Sequence, residues 1–577
     1  MKSESLYPVR AVRDLKDMLA QSCRLFEGNT AFLLKTGENG YDRVSYGQFY
    51  MDVEALGSAM LKLRLKNESI AVIGENRYEW CMTYLSVVNG VGTIVPLDKE
   101  LPITEIENLL RQCGAAAVVF SGKFRARMKE IACRLPNLRC YIDMDQELDE
   151  GGLISFGQLL KTGRELVNSG DCNYKAQEVE PNSISILLYT SGTTDLAKGV
   201  MLSHANICAN ITSVCSTVLI TGNDLSLSIL PLHHTYECTL GFLLMIYNGG
   251  TIAFNEGLKF ISENFKQTSP TVMITVPLIL ENMYKKIMNG VGKSWLKRFR
   301  FKAALILTNL VYGIFRVDIR KKVFKPVHDN FGGRMRLIII GAASVSPEVS
   351  KCFRMLGISV LQGYGLTECA PLVAGNRDKA FRDSAAGLPI PGVQVRIINP
   401  DENGKGEIAV RGGNVMLGYF RNEAATKQCM RDGWFHTGDS GSFDRKGFLY
   451  ITGRIKNVII TKNGKNIFPE EVETYINRSP FVRDSLVWGK YDDSTGNTVV
   501  CAQILPNSEA ICEKLKRLSV SGQEMINFIN QTIKNANTEM PSYKHIHEFS
   551  IRETEFIKTT TMKIKRYLEI PAKTEFI

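Results

Sequence analysis

The chain has 577 residues, 44% of them hydrophobic and 22% charged, with 70 Lys plus Arg against 59 Asp plus Glu and a formal net charge of +11. This composition excludes a disordered, collagenous or small disulfide-stapled chain, and at roughly 100–200 residues per domain the length excludes a single small module. The charge is concentrated: between Lys285 and Arg336 fourteen Lys and Arg stand against only Asp318 and Asp329, a net +12 that leaves the rest of the chain near −1.

In chain order, short apolar runs come first at Ile70 to Ile73, Gly92 to Pro96, Ala115 to Phe120 and Cys140 to Ile142, separated by helical patterns such as Phe49 to Leu63. That alternation predicts βα units. The rhythm returns at Ile184 to Thr190, Leu225 to Leu230, Thr251 to Phe254, Val272 to Thr275, Leu337 to Ile340 and Ser359 to Gln362. Past Gly387 the texture becomes Gly-rich and alternating, with strands expected at Val393 to Ile398, Gly406 to Arg411 and Gly447 to Thr452. Helices are expected at Pro469 to Asn477 and Gly522 to Ala536, with strands between them. The fold class is therefore multidomain α/β. A large N-terminal domain, 1–453, holds two βα-layered subdomains, a β-rich subdomain at about 387–453 and the basic insert at about 285–336. A small mobile α+β domain, 454–577, follows.

The insert mixes its basic residues with Trp295, Phe299, Phe301, Ala303 to Leu307, Val311, Tyr312, Ile314 and Phe315. Two readings stand: a helix lying peripherally on an anionic membrane surface, or a solvated helix whose apolar side packs on the body. Nucleic acid is not expected as a partner, because no helix-turn-helix, zinc-finger or RRM pattern accompanies the charge. Fourteen scattered Cys without CxxC pairs read as reduced residues. No apolar leader opens the chain and no apolar run approaches the roughly 18–20 residues of a membrane span. The expected location is the cytoplasm, with the inner face of the cytoplasmic membrane as its extension.

The sharpest local pattern runs from Tyr189 to Val200. The backbone at Gly192 and the hydroxyls of Thr190, Ser191, Thr193 and Thr194 can close around a polyphosphate, with Lys198 adding a point charge. It is not a Walker A loop. With the segments that follow, it resembles the signature loop of the adenylate-forming superfamily of acyl-CoA synthetases, peptide-synthetase adenylation domains and luciferases. Within it the chain most resembles bacterial long-chain fatty-acid–CoA ligases. Asp195, Ala197 and Met562 depart from that family's Gly, Pro and Gly. A carboxylate at Asp195 would repel a triphosphate unless it meets Mg²⁺ or Lys198.

The remaining assignments are what the resemblance implies. His234, in Leu230 to Tyr236, would line the acyl channel near the reacting carboxylate. Gly341, Ala342 and Ala343 would border the adenine. In Gln362 to Cys369, Tyr364 would stack on the base beside Gly365, Thr367 would touch the α-phosphate, and Glu368 with Thr190 would hold Mg²⁺. Asp439 would accept the ribose hydroxyls, Arg454 would support the nucleotide, and Lys456 would be the hinge between domains. Gly464 would leave room for pantetheine, and Lys563 would be the catalytic lysine. Ser346, Pro347 and Glu348 read as cap, N1 proline and N-terminal acid of a helix.

The implied reaction is ATP-dependent activation of a fatty acid, expected to be long-chain, to an acyl-adenylate with release of pyrophosphate. A thioester with CoA then forms and AMP leaves. The alternatives are a fatty acyl-AMP ligase charging an acyl carrier protein, and a catalytically impaired nucleotide-binding paralogue.

Overall fold

The computed structural model describes residues 5–37, 40–190, 197–292, 294–460, 466–492, 497–559 and 563–570. The described residues form two compact units that are not consecutive in sequence: one within 1–192, 196–394 and 410–433, and one within 395–409 and 434–577.

Two large sheets organise the first unit. In the nine-stranded sheet, Leu337–Ile340 lies between Val272–Thr275 and Ser359–Gly365, parallel to both, with Thr275, Ile340 and Gln362 in register. Leu225–Ser228 continues the parallel set through Thr251–Phe254 and Val272. These strands are buried on both faces, which is why they read as continuous apolar runs rather than alternating ones. The eight-stranded sheet has Glu68–Ile73 between Gly92–Pro96 and Ala117–Phe120, again parallel. Gly92–Pro96 also pairs with Ile184–Thr190, which turns back antiparallel into Lys198–Ser203.

The helices begin where local chemistry starts them. Ser45 caps Tyr46–Lys62 by accepting from the Gln48 N–H, and Ser203 with Asn206 forms a reciprocal capping box on His204–Cys215. Each such cap contributes about 1 kcal/mol. Ser346, Pro347 and Glu348 do start a helix, but the Ser346 side chain makes no cap bond. Glu348 instead accepts from the Tyr284 hydroxyl at 3.1 Å.

The second unit contains the hairpin Trp434–Phe443 with Leu449–Arg454. Its three-stranded sheet pairs Val482–Asp492 antiparallel with Asn497–Pro506, which runs parallel to Ile546–Ile551. Helices Pro469–Asn477 and Gly522–Thr538 pack there through Ile476, Ile529 and Ile533 against Val487, Ala502 and Ile504.

Candidate active site

In the first unit the motif loops leave the carboxyl ends of neighbouring parallel strands, the edge where open α/β sheets bind ligands. The loops after Leu225–Ser228 and Leu337–Ile340 are far apart in sequence, yet the parallel register through Val272–Thr275 brings them together. Tyr236, from the first of these loops, donates its hydroxyl to the Ile339 carbonyl at 3.1 Å. Its ring covers Gly341 so closely that a Cβ there would stand 2.8 Å from Cζ. The loop is shaped by Asn76, whose amide donates to the Leu230 carbonyl at 2.7 Å and accepts from the Leu232 N–H at 3.1 Å. Ala342 takes a left-handed φ of +72°, and Ala343 is exposed.

His234 is half-buried, with its ring centroid 4.1 Å from that of His233. His233 Nε2 lies 3.6 Å from Asp98 Oδ2, on the loop after Gly92–Pro96. Burial by itself would raise the Asp98 carboxyl, but the His233 imidazole outweighs it and holds the group well below the ordinary carboxylate value. The carboxyl edges of the two sheets therefore meet at this pair.

They meet a second time at Glu368. Tyr419 donates its hydroxyl to Glu368 Oε1 at 2.9 Å, and the Lys198 ammonium lies 5.0 Å from the Tyr419 ring centroid, within cation–π range. Lys198 is opposite Thr190 in the hairpin, and the Thr190 hydroxyl donates to the Lys198 carbonyl at 3.4 Å. Thr190, Lys198 and Glu368 are thus brought together. Behind Glu368 the chain is clamped by two buried amides, Asn210 and Asn414, both donating to the carbonyls of Cys369 and Leu372. Tyr364 and Gly365 lie on the strand leading in, opposite Ala374 and Leu372. A Cβ at Gly365 would come within 2.2 Å of the Pro371 carbonyl oxygen, so only Gly fits. Thr367 opens the short turn that carries Glu368. Ser191, Gly192, Thr193 and Thr194 lie outside the described residues, as do Asp195, Gly464 and Met562.

In the second unit, Asp439 is buried and faces Arg454 across the hairpin, with Nε 3.1 Å from Oδ1. Its N–H donates to Thr437 Oγ1 at 3.1 Å. Lys456 is exposed in the turn Ile455–Asn457. Lys563 is tied to Thr559: its N–H donates to Thr559 Oγ1 at 3.1 Å and its carbonyl accepts from the Thr559 N–H at 2.7 Å. Three residues on, Arg566 is anchored on the half-buried Glu473. Lys563 as a residue is exposed. Desolvation first, and the Arg454 guanidinium second, hold it below the ordinary lysine value against the pull of Asp439 and Glu470.

An oxygen-seeking cation suits this donor set. Glu368 keeps Oε2 beyond its bond to Tyr419, and one carboxylate, a hydroxyl at Thr190 and substrate phosphates are the usual company of Mg²⁺. Among the described residues no cluster of three or more His, Cys, Asp or Glu is poised to hold a metal alone.

Residues 19–420 match the AMP-binding enzyme family, and residues 456–568 match the AMP-binding enzyme C-terminal domain. The chain belongs to the AMP-binding enzyme family. It is 28% identical over 91% of its length, and 80% of the other chain, to long-chain-fatty-acid–CoA ligase 6 of Homo sapiens. With the Rattus norvegicus protein of the same name it is 30% identical over 78% of this chain and 68% of the other. Among solved structures, the anthranilate CoA ligase AuaEII in complex with anthranoyl-AMP superposes with a TM-score of 0.75 at 19% identity, covering 98% of this chain and 97% of that one. The fold of this AMP-binding enzyme is therefore that of the adenylate-forming CoA ligases, as the motifs implied.

Sequence reasoning missed Asn76, Asp98 and Tyr419, because each meets its motif only through the sheets. The close packing of Gly341 gives a direct check. Gly341→Ala is expected to destabilise the protein by about 1–3 kcal/mol through overpacking against Tyr236, read as a lower urea midpoint. An unchanged midpoint would mean the ring moves aside freely.

Proposed function

We propose that this AMP-binding enzyme activates a long-chain fatty acid with ATP and passes the acyl group to CoA. The observation that carries the reading is the convergence of Thr190, Lys198 and Glu368 through Tyr419 at one edge of two largely parallel sheets. The names of its relatives supply the substrate class.

In the first step the fatty-acid carboxylate attacks the α-phosphorus of ATP, and the bond to pyrophosphate breaks. The protein's part is placement and charge neutralisation. Lys198 would meet the phosphates, Tyr364 the base, Asp439 the ribose hydroxyls, and Lys563 the charge that develops on the transferring phosphate. His234 would stand beside the reacting carboxylate. Mg²⁺, held by Glu368 with Thr190, would neutralise phosphate charge. In the second step the CoA thiol attacks the acyl carbonyl and the bond to AMP breaks, so no covalent enzyme intermediate is required. Fourteen Cys with no disulfide among them support a cytoplasmic location as part of the same proposal.

The test is pyrophosphate release over acids of graded chain length, with CoA added or withheld. A maximum at long chains, with thioester formed only when CoA is present, is the expected result. A maximum at acetate or at an amino acid would overturn the substrate class. Acyl-adenylate that accumulates and passes to a carrier protein but not to CoA would overturn the acceptor.

A further inference from the structure

The insert helix Trp295–Phe315 carries two apolar stripes, and the body of the protein covers only one. Phe301, Ala304 and Leu305 pack on Phe324, Val327 and Leu356, and Asn309 fastens the helix by donating to the Met355 carbonyl at 2.7 Å. The other stripe is Trp295, Phe299, Ile306, Leu307, Leu310 and Ile314, all between 53% and 76% exposed. At about 100° per residue these six fall within an arc of about 120°, centred opposite the buried stripe. The structure thus joins the two readings of the insert: one face packs, and the other is open.

Positive charge borders the open face. On the same wheel Arg300 flanks one side of the arc, and Lys302 then Arg298 flank the other. Asp318 is already paired with Arg320, Asp329 with Lys325, and Arg336 with Asp224. Among the described residues Lys297, Arg298, Arg300, Lys302, Lys321 and Lys322 form no ion pair with an acidic group. No helix of the described residues is long and apolar enough to cross a membrane. An apolar stripe edged by unmatched cations, with Trp295 at its end, has the chemistry of a helix lying in the plane of an anionic lipid surface.

We propose that the open face of Trp295–Phe315 docks the protein on an anionic bilayer, apolar stripe in the interface and flanking Lys and Arg on the headgroups. This does not depend on the reaction proposed above. The test is cosedimentation of the full chain with vesicles of phosphatidylcholine alone or mixed with phosphatidylserine, at low and high salt. Binding is expected to the anionic vesicles and to weaken with salt. The triple variant Arg298→Gln, Arg300→Gln, Lys302→Gln should bind them about 100-fold more weakly. Phe299→Asp with Leu310→Asp should also lose binding while keeping the wild-type circular dichroism spectrum and thermal midpoint.

Failure to bind either vesicle, equal binding to both, or binding that survives both variants would overturn the proposal. So would concentration-dependent self-association without lipid that the Phe299→Asp, Leu310→Asp variant abolishes, which would make the face an interface between copies. Pyrophosphate release with a short soluble acid should be unchanged in both variants. Its absence in every form of the protein would count against the proposed reaction and leave the docking result standing.

Discussion

Lys563→Ala is expected to lower pyrophosphate release by at least about 100- to 1,000-fold, the scale for losing one group that stabilises charge developing in a transition state. Supplied acyl-adenylate and CoA should still give thioester at close to the wild-type rate, because that step is an attack at the acyl carbon and involves no displacement at phosphorus, the event assigned to the lysine. The residue is exposed, so truncation leaves no closed cavity and an unchanged thermal midpoint will confirm an intact fold. Lys563→Arg should recover only part of the loss, since a planar fork does not replace a compact ammonium.

The pH dependence follows with a definite sign. A lysine is charged below its pKa, and this one is held below the ordinary 10.5. Its charge is therefore lost at a lower pH than that of a free lysine. Pyrophosphate release should fall on the alkaline side with an apparent pKa beneath 10.5, a limb that thioester formation from supplied adenylate lacks. Equal loss of both half-reactions in Lys563→Ala would overturn the assignment.

The parts of the site that were legible in the sequence are those whose residues are contiguous. Gln362 to Cys369 places a ring, a hydroxyl and a carboxylate on one strand and turn, so the segment could be singled out without the fold, while the roles of its residues are what the family resemblance implies. The supports were not legible, because their partners are distant: Tyr419 reaches Glu368 across 51 positions and Asn76 reaches Leu230 across 154. Parallel strands make such meetings, since crossover helices separate segments that end side by side. Small errors have local causes. The strand expected from Gly447 begins at Leu449 because Gly447, at φ +82°, belongs to the turn before it. The π-helical turn Glu237–Leu243 was not foreseen, since one extra residue in a turn leaves almost no trace in apolar spacing.

Glu237→Gln is expected to change how stability depends on pH more than any surface substitution would. Glu237 follows Tyr236 directly and is buried. It accepts from Ser228 Oγ at 2.6 Å, which in turn accepts from the Asn76 amide at 2.8 Å, while its own Oε2 has no partner among the described residues. Gly241 makes room for it, since a Cβ there would lie 2.5 Å from Oε1. Burial pushes the carboxyl up from 4.5 to about 8, with only the Ser228 hydroxyl opposing.

A carboxyl whose folded value is raised binds its proton more tightly in the folded state. Its contribution is therefore fully present below pH 4.5 and is lost as pH climbs through 8. At about 1.4 kcal/mol per pH unit, the loss across that window is on the order of 5 kcal/mol. Glutamine cannot ionise, so the variant should lack this slope. Its second N–H, left without an acceptor, costs about 1–3 kcal/mol at every pH, which makes the difference in slope the decisive quantity. Thermal midpoints of the two proteins should converge or favour wild type near pH 5 and favour the variant by about pH 8. Parallel curves would show that Glu237 finds a compensating partner and ionises at an ordinary pH.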